Sequence, residues 1–282
     1  MSYERIRKEI EAYDNLAKIR MKRDLAEFSR GFVGPDLLDR FQSGERVEFP
    51  KSSKLWIDSV ANAVSQRTAF NWLAPIEGKR YLQLGGSGSH AIKSLIGGAD
   101  RVSLVTPSAE EGRIANTVAR HLGLASKMEV VLGIGEQLPF ADGSFDRVYG
   151  GGTLHHIALE RGLPELNSIL APGGRAGFIE PRLNLIYRIL EATKVRDLAR
   201  EPGAQCYPLA VSDVLENARG FTTCRCELSG GPVRYAIVGL SRILRMSVPL
   251  SLSMALQSAE TRVLSSLGLS SMLGGLAVLL EK

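Results

Sequence analysis

Short apolar runs alternate with helical patterns along the middle of the chain, from Arg80 onward. The runs are short, bounded by turn residues and rich in β-branched and aromatic side chains, which is typical of strands. The predicted strands are 81–84, 102–105, 129–132, 145–149, 175–179, 222–228 and 276–280. The helices predicted between them are 90–96, 109–122 and 159–170. Regular alternation of strands and helices implies an α/β fold built on a parallel sheet.

Helical patterns also flank this alternating region. Apolar residues recur every three or four positions over 3–28, and a second helix is predicted over 54–72, ahead of Pro75. A long helical stretch, 234–272, separates the last two strands. We therefore expect three parts: an N-terminal helical cap of 1–77, a core of 78–232 with 273–282, and a helical insertion or lid of 233–272.

Composition narrows the function classes. The chain has 44% hydrophobic and 23% charged residues, as an ordinary globular protein does. Its 35 basic residues are interleaved with 30 acidic ones, so no basic stripe indicates nucleic-acid binding. The 3 cysteines are sparse and lack metal-ligand spacing, which predicts a reducing compartment and no metal site.

The sequence predicts neither a signal peptide nor a membrane-spanning segment. Residues 1–11 are charged and contain no apolar core of a signal peptide, so we expect a cytoplasmic protein. The longest apolar stretch, 267–280, is too short to span a membrane and is interrupted by Gly274 and Gly275. The apolar stretch 243–250 either contacts a membrane surface or a hydrophobic substrate, or packs over the core, and the second alternative is favoured.

A loop of very small residues follows the first predicted strand. It reads Gly85-Gly86-Ser87-Gly88-Ser89 and leads directly into a helix. Such residues let the backbone approach a ligand, and the helix amino terminus offers unpaired N–H groups. The alternative is a tight turn made of residues that happen to be small, so the loop alone is weak evidence.

Stronger evidence comes from a series of motifs downstream. Residues 133–140 read Gly-Ile-Gly-Glu-Gln-Leu-Pro-Phe, residues 142–148 read Asp-Gly-Ser-Phe-Asp-Arg-Val, and residues 154–156 read Leu-His-His. Leu-Ala-Pro-Gly-Gly at 170–174 precedes the fifth strand, and Glu180-Pro181 follows it. Over about 78–221 the chain resembles the class I S-adenosylmethionine-dependent methyltransferases that act on small molecules. The resemblance implies a Rossmann-like, doubly wound, seven-stranded sheet whose last strand is antiparallel.

The resemblance also identifies departures from the family pattern. The acidic residue that ends the first strand is Gln83 here, the ribose-binding carboxylate that ends the second strand is Thr106, and the adenine-reading acidic residue is Ile134. A charge-assisted hydrogen bond contributes about 1.5–3 kcal/mol, so three losses weaken or abolish cofactor binding. The alternative is that neutral and backbone groups replace the carboxylates, with Glu136 covering one contact.

Residues expected at the site follow from the same resemblance. The cofactor, S-adenosylmethionine, is expected to lie against Gln83, Gly85, Gly86, Ser87, Gly88, Thr106, Ile134, Gly135, Glu136 and Gly151. Methyl transfer is a direct displacement and needs few catalytic groups. A base would assist a hydroxyl acceptor, and the candidates are His155, His156 and Glu180, at the ends of the fourth and fifth strands. The alternative is that these residues only build the loop.

Two functions remain open at this stage. The first is a methyltransferase for a small natural-product, quinone or lipid-like acceptor. The second is a protein of the same fold that no longer binds the cofactor and catalyses a cyclisation or isomerisation, or serves as a non-catalytic partner. A homodimer is compatible with either. Fold alone does not decide between them.

Overall fold

The computed structural model describes residues 7–8, 10–15, 17, 57, 59–192, 207–242 and 248–282. At its centre is one seven-stranded sheet with the order β3-β2-β1-β4-β5-β7-β6. Its strands are β1 (Arg80–Leu84), β2 (Arg101–Thr106), β3 (Met128–Leu132), β4 (Phe145–Gly151), β5 (Leu170–Pro181), β6 (Thr223–Ser229) and β7 (Gly275–Glu281). Strands β1 to β5 pair in parallel, whereas β7 is antiparallel to both β5 and β6. This arrangement confirms the predicted fold class.

Helices cover both faces of the sheet. They are α1 (Ala63–Leu73), α2 (Ser89–Ile96), α3 (Ala109–His121), α4 (Leu159–Ile169), α5 (Leu185–Ala192), α6 (Val211–Asn217), α7 (Pro232–Arg242) and α8 (Leu250–Ser266). One apolar core contains residues of α1, α2 and α3, and a second contains residues of α4 and α6. Strands β1, β2 and β7 are buried over nearly their whole length, which explains why they are continuous apolar runs in the sequence.

The helix predicted over 54–72 begins later than expected. Residues 54–56 and 58 lie outside the described residues, Ile57 and Ser59 are not helical, and a 3₁₀ turn, Val60–Asn62, leads into α1. Polar side chains hold this entrance: the Ser59 N–H donates to Gln66 Oε1 (3.1 Å), and Asn62 Nδ2 donates to Ser59 Oγ (2.9 Å). Ser59 therefore marks the start of the helical segment, a boundary that the apolar periodicity of the sequence did not reveal.

Strand β5 begins five positions before its predicted start at Arg175. Leu170 already pairs with Phe145, and the pairing then shifts so that Arg175 pairs with Arg147. The Pro-Gly-Gly stretch, predicted as a turn ahead of the strand, is an irregularity inside it, and Gly173 supplies a positive φ of 70°.

Two helices, α7 and α8, connect β6 to β7. Helix α8 packs through polar contacts, with Ser253 Oγ (2.7 Å) and Gln257 Nε2 (2.9 Å) both donating to the Val60 carbonyl. Residues 243–247 lie outside the described residues, so the apolar stretch 243–250, for which packing over the core was favoured, is described only from 248, and the lid role stays a prediction. Among the described residues, none of the helices has the length and apolar character needed to cross a bilayer.

The predicted N-terminal helix, 3–28, is described only in part. Residues 7–8, 10–15 and 17 are helical, and the remainder of the prediction lies outside the described residues. The segment contacts the core, because Ala17 is 2% exposed and belongs to the same apolar cluster as α2 and α3. It therefore packs on the side of the sheet that α1, α2 and α3 cover.

Candidate functional site

A cleft opens where β1, β2, β3 and β4 end, which is the edge where open α/β sheets bind ligands. The residues that line it are Tyr13, Leu84, Gly85, Gly86, Val105, Pro107, Glu111, Gly133, Ile134, Gly135, Glu136, Gly151, Gly152, Thr153, His156 and Ile157. Small and apolar residues make up most of this lining. The few polar groups, among them two carboxylates, are therefore the ones able to orient a ligand.

Glycines shape the wall of the cleft next to β1. Gly85 has φ +78°, and an added Cβ would lie 3.0 Å from Thr153 Oγ1. Thr153 itself donates to the Leu84 carbonyl (2.9 Å), so the loops after β1 and β4 are joined at this point. At Gly86, with φ +79°, a Cβ would lie 3.3 Å from Gln83 Nε2. Side chains at these positions would be strained by the positive φ and would crowd Thr153 or Gln83, so both positions present bare backbone.

Gln83 fastens this loop to the rest of the site. Its amide Nε2 donates to the Gly85 carbonyl (2.7 Å), and its Oε1 accepts from the Ala91 N–H (2.6 Å) in the first turn of α2. The side chain is 4% exposed and is not among the residues that line the cleft. A neutral amide thus bridges the loop and the helix at the position where the family has a carboxylate.

The end of β2 carries a carboxylate that the sequence analysis missed. Thr106 is fully buried and donates to Glu111 Oε2 (2.7 Å), while its hydroxyl accepts from the Ser108 N–H (3.2 Å). Ser108 caps α3, because its hydroxyl accepts from the Glu111 N–H (3.1 Å). Glu111 is 4% exposed and lines the cleft. The Ser-x-x-Glu spacing of a capping box was the available sequence signal.

The loop after β3 brings both a polar and an apolar residue to the cleft. Ile134 is half-buried, and a Cβ on the next residue, Gly135, would lie 2.3 Å from Ile157 Cδ1, so a larger residue there would displace the Ile157 side chain. Glu136 lines the cleft, but its Oε1 accepts from the Ala158 N–H (2.9 Å) at the start of α4. Its described role is thus to cap that helix.

Glu180 organises the loop between β4 and α4. Its Oε1 accepts from the N–H groups of Thr153 (2.9 Å) and Leu154 (2.8 Å), and its Oε2 accepts from the His155 N–H (3.4 Å) and from His155 Nδ1 (2.6 Å). Glu180 is 3% exposed and is not among the lining residues. These bonds make it a partner of the backbone, which is the alternative that the sequence left open.

The two neighbouring histidines differ in position. His155 is buried against Glu180, whereas His156 lines the cleft. His156 Nε2 lies 3.0 Å from the Tyr13 hydroxyl, and the two rings meet edge to face at 5.8 Å. The imidazole rings of His155 and His156 are neighbours, with centroids 3.9 Å apart and planes tilted by 42°. A residue 143 positions away in sequence therefore closes the side of the cleft next to His156.

Asp14, beside Tyr13, anchors the N-terminal segment to α3. The Ser108 hydroxyl and the Glu110 N–H (3.3 Å) both donate to its Oδ1. A carboxylate at a helix amino terminus is favoured by the helix dipole. The N-terminal segment thus contributes one contact on each side of the cleft mouth, one to His156 and one to α3.

The structure brings together part of the predicted site. The predicted residues that line the cleft are Gly85, Gly86, Ile134, Gly135, Glu136, Gly151 and His156. Those outside the lining are Gln83, Ser87, Gly88, Thr106, His155 and Glu180. Gly88 has a packing role, because a Cβ there would lie 2.7 Å from the Cβ of Ala115 in α3. Gln83, Thr106 and Glu180 each support a neighbouring element by hydrogen bonds.

Comparison with known proteins agrees with the fold. A family model described as a methyltransferase domain matches residues 82–178. Uncharacterized methyltransferases of Mycobacterium tuberculosis and Mycobacterium bovis are 32% identical over 117 residues, a match that covers 39% of this chain and 43% of theirs. The chain therefore matches less than half the length of these relatives. The matched stretch is similar to a methyltransferase domain, in agreement with the resemblance that the motifs indicated.

Solved structures with low sequence identity share the architecture. Geranyl diphosphate C-methyltransferase from Streptomyces coelicolor aligns with a TM-score of 0.56 at 14% identity, covering 76% of each chain. The [4+2]-cyclase SpnF aligns with a TM-score of 0.51 at 17% identity, covering 87% of this chain and 92% of that one. One fold thus accommodates both a methyltransferase and a cyclase, so the site has to decide the activity.

Proposed function

We propose that the protein is an S-adenosylmethionine-dependent methyltransferase that acts on a small-molecule acceptor. The observation that carries this proposal is the intact cradle after β1. Although its carboxylate is missing, Gln83 joins the Gly85 carbonyl to the Ala91 N–H, so the loop and the helix amino terminus keep a fixed relation. Gly85 and Gly86 keep bare backbone in this loop, at positive φ values of +78° and +79°.

The lining fits an adenosyl ligand in three respects. Glycine backbone is exposed next to β1, the half-buried side chains of Ile134 and Ile157 provide an apolar surface for a flat base, and Glu111 and Glu136 add carboxylates to the lining. When bound, S-adenosylmethionine supplies an electrophilic methyl group that leaves its sulfur by direct displacement. The protein has to orient this group and exclude water.

On the acceptor side, we propose His156 as the group that meets the substrate. It lines the cleft, and its Nε2 lies 3.0 Å from the Tyr13 hydroxyl, so this pair can relay the proton of a hydroxyl acceptor. His155 and Glu180 are assigned as positioning residues, because their contacts fix the loop that carries His156. Of the three predicted catalytic residues, His156 is thus proposed to contact the substrate, and His155 and Glu180 are proposed to position it.

Named structural relatives support a small acceptor. One acts on geranyl diphosphate, and another, from Haemonchus contortus, is a phosphoethanolamine methyltransferase with a TM-score of 0.53 at 15% identity. Both substrates are small, phosphate-containing molecules. We extend only the size class to this chain and propose a natural-product, quinone or lipid-like molecule as acceptor.

A second candidate is a non-methylating activity on the same scaffold. Two positions favour it: Thr106 and Ile134 lack the carboxylates with which the family binds ribose and adenine. The structural similarity to a [4+2]-cyclase shows that this fold is compatible with cyclisation. In this reading the cleft binds the substrate of a cyclisation or isomerisation and has no need of an adenosyl cofactor.

Ligand binding separates the two candidates. We would titrate the protein with S-adenosylmethionine and S-adenosylhomocysteine by calorimetry, beside a Gly133→Phe variant that blocks the cleft. Gly133 has no positive φ, and its added Cβ would make only an ordinary contact with Val105 (3.4 Å), so the variant is expected to fold. The matched control is Gly239→Phe, at a helical glycine with open space around it and outside the cleft lining.

Micromolar binding that Gly133→Phe abolishes and Gly239→Phe preserves is the expected result. Absence of binding up to millimolar ligand would remove the methyltransferase assignment and make the cofactor-independent activity the leading one.

A further inference from the structure

A buried carboxylate lies at the carboxyl end of β2, one helical turn beyond the strand. Glu111 belongs to the first turn of α3, is 4% exposed, and lines the cleft between Val105 and the loop after β3. Burial of a carboxylate is costly unless hydrogen bonds or charges compensate for it. A carboxylate kept at a ligand cleft therefore calls for an explanation beyond helix capping.

Three features hold Glu111 in this place. Its own N–H is bound by the hydroxyl of Ser108, its Oε2 accepts from Thr106 Oγ1, and the amino terminus of α3 favours negative charge. Thr106 is the residue at which the family has its ribose-binding carboxylate. The Thr106 hydroxyl, which stands where the family has that carboxylate, thus lies 2.7 Å from the Glu111 carboxylate.

We propose that Glu111 binds the ribose hydroxyls of the S-adenosyl cofactor, with Thr106 as the residue that positions it. The inference rests on the proposed function, since it concerns the same cleft. Compared with the family pattern, the carboxylate lies in the first turn of α3 instead of at the end of β2, and Thr106 donates a hydrogen bond to it. The cleft therefore retains a ribose-binding charge that the residue at the end of β2 does not supply.

Neighbouring carboxylates fit this role less well. Glu136 also lines the cleft, but it follows β3 and accepts from the Ala158 N–H. Asp14 is near the amino terminus of α3, but it accepts from Ser108 and Glu110 and is not among the lining residues. Among the described residues, Glu111 is the carboxylate that both lines the cleft and directly contacts the end of β2.

A pair of ligands tests the contact itself. S-adenosylhomocysteine and its 2′,3′-dideoxy analogue would be titrated into the wild-type protein, Glu111→Gln and the matched control Glu110→Gln. Glu110 is adjacent in sequence but pairs with Arg113 (2.6 Å) outside the cleft. Glutamine keeps the shape of Glu111 and an oxygen that accepts from Thr106, while it removes the charge and replaces the second acceptor oxygen by an amide NH2 donor.

We expect Glu111→Gln to weaken S-adenosylhomocysteine binding about ten- to a hundred-fold, as for the loss of a charge-assisted hydrogen bond. The dideoxy analogue should lose little, because it lacks the hydroxyls that the carboxylate binds. Glu110→Gln should leave both affinities within about twofold. Equal losses for both ligands, or no loss for either, would overturn the assignment while leaving the methyltransferase proposal intact.

A second variant tests the relocation independently. Thr106→Asp restores the family residue, but it places two carboxylates against each other, so affinity should fall. The double variant Thr106→Asp/Glu111→Gln has one carboxylate at the family position and should recover affinity relative to Glu111→Gln. If Thr106→Asp alone improves binding, Glu111 is not the ribose ligand. If the wild-type protein binds no S-adenosylhomocysteine, the proposed function fails first.

Discussion

A buried carboxylate lies on each of two strand edges near the cleft, and the two carboxylates are used differently. At the β4–β5 edge, Glu180 is 3% exposed and accepts from three backbone N–H groups and the His155 ring. At the β2 edge, Glu111 is 4% exposed, accepts from a threonine hydroxyl and lines the cleft. Similar burial thus accompanies different chemistry. Three backbone N–H groups make Glu180 a carboxylate that builds a loop, whereas Glu111 lines the cleft and is the one proposed to meet a ligand.

Removal of the Glu180 carboxylate should have the largest effect on stability. Glu180→Ala leaves buried N–H groups and His155 without their acceptor, so we expect the free energy of unfolding to fall by about 3–5 kcal/mol. Urea unfolding followed by circular dichroism measures this. Glu180→Gln is the control, because it keeps one acceptor oxygen and should lose clearly less.

Replacement of the Glu111 carboxylate by alanine, at the β2 edge, should have a smaller effect on stability. Glu111→Ala breaks the described bond to Thr106, whose hydroxyl can still accept from the Ser108 N–H, so we expect a loss of about 1 kcal/mol. Equal losses at Glu111 and Glu180 would contradict the division between loop-building and ligand-facing carboxylates.

An intermediate effect is expected at the glycine cradle. Gly85→Ala and Gly123→Ala both place a side chain at positive φ, +78° and +70°, which costs about 1–2 kcal/mol. Gly123 has nothing within 4 Å of the added Cβ, whereas at Gly85 that atom would lie 3.0 Å from Thr153 Oγ1. Thermal unfolding should therefore show a larger loss for Gly85→Ala.

Affinity separates the same two glycine variants more clearly. S-adenosylhomocysteine binding should fall at least about tenfold for Gly85→Ala and stay unchanged for Gly123→Ala, since only the first narrows the cleft. Similar affinities in the two variants would mean that the ligand does not approach the backbone after β1.

The smallest effect concerns a third carboxylate, at the amino ends of the strands. Burial raises the pKa of Asp146, but hydrogen bonds and charge from Arg80 outweigh it, and the pKa lies below its ordinary value of 3.8. Its contribution to stability is therefore present above that value and is lost as the pH falls through the lower pKa of the folded state. Asp146 is 25% exposed, so this contribution is modest.

The Asp146→Asn variant checks that sign. Compared with the wild-type protein, it should be slightly less stable at pH 7, and the difference should shrink below about pH 4, as urea midpoints at several pH values would show. A difference that grows on acidification would indicate that Arg80 does not stabilise the ionised form.

Much of the fold follows from the sequence because its signals are local. The apolar runs of β1 and β2, the glycines after β1 and the motif at 133–140 each lie within a short stretch, and their order specifies the sheet. The positions that lack family carboxylates, Gln83, Thr106 and Ile134, were also identifiable from register alone. The effect of these substitutions on cofactor binding could not be predicted from the sequence, because it depends on which other side chains lie close to these positions in the folded protein.

Residues missed by the sequence analysis contact the site from other elements. Tyr13 reaches His156 across 143 positions, and such a contact leaves no periodic signal. Glu111 was readable as the last residue of a capping box, but its approach to Thr106 depends on side-chain conformation at the start of α3. Glu180, by contrast, was identified from the sequence as a candidate base, but only its four hydrogen bonds show that it supports the loop.

A crystal structure of the protein with S-adenosylhomocysteine tests the central claim most directly, namely that a cleft without the family's three carboxylates still binds the adenosyl cofactor. We predict that the ligand lies across the carboxyl ends of β1 to β4, with both ribose hydroxyls within hydrogen-bond distance of Glu111 and none near Glu180. A cleft that stays empty at millimolar ligand, or a ligand bound elsewhere, would contradict it.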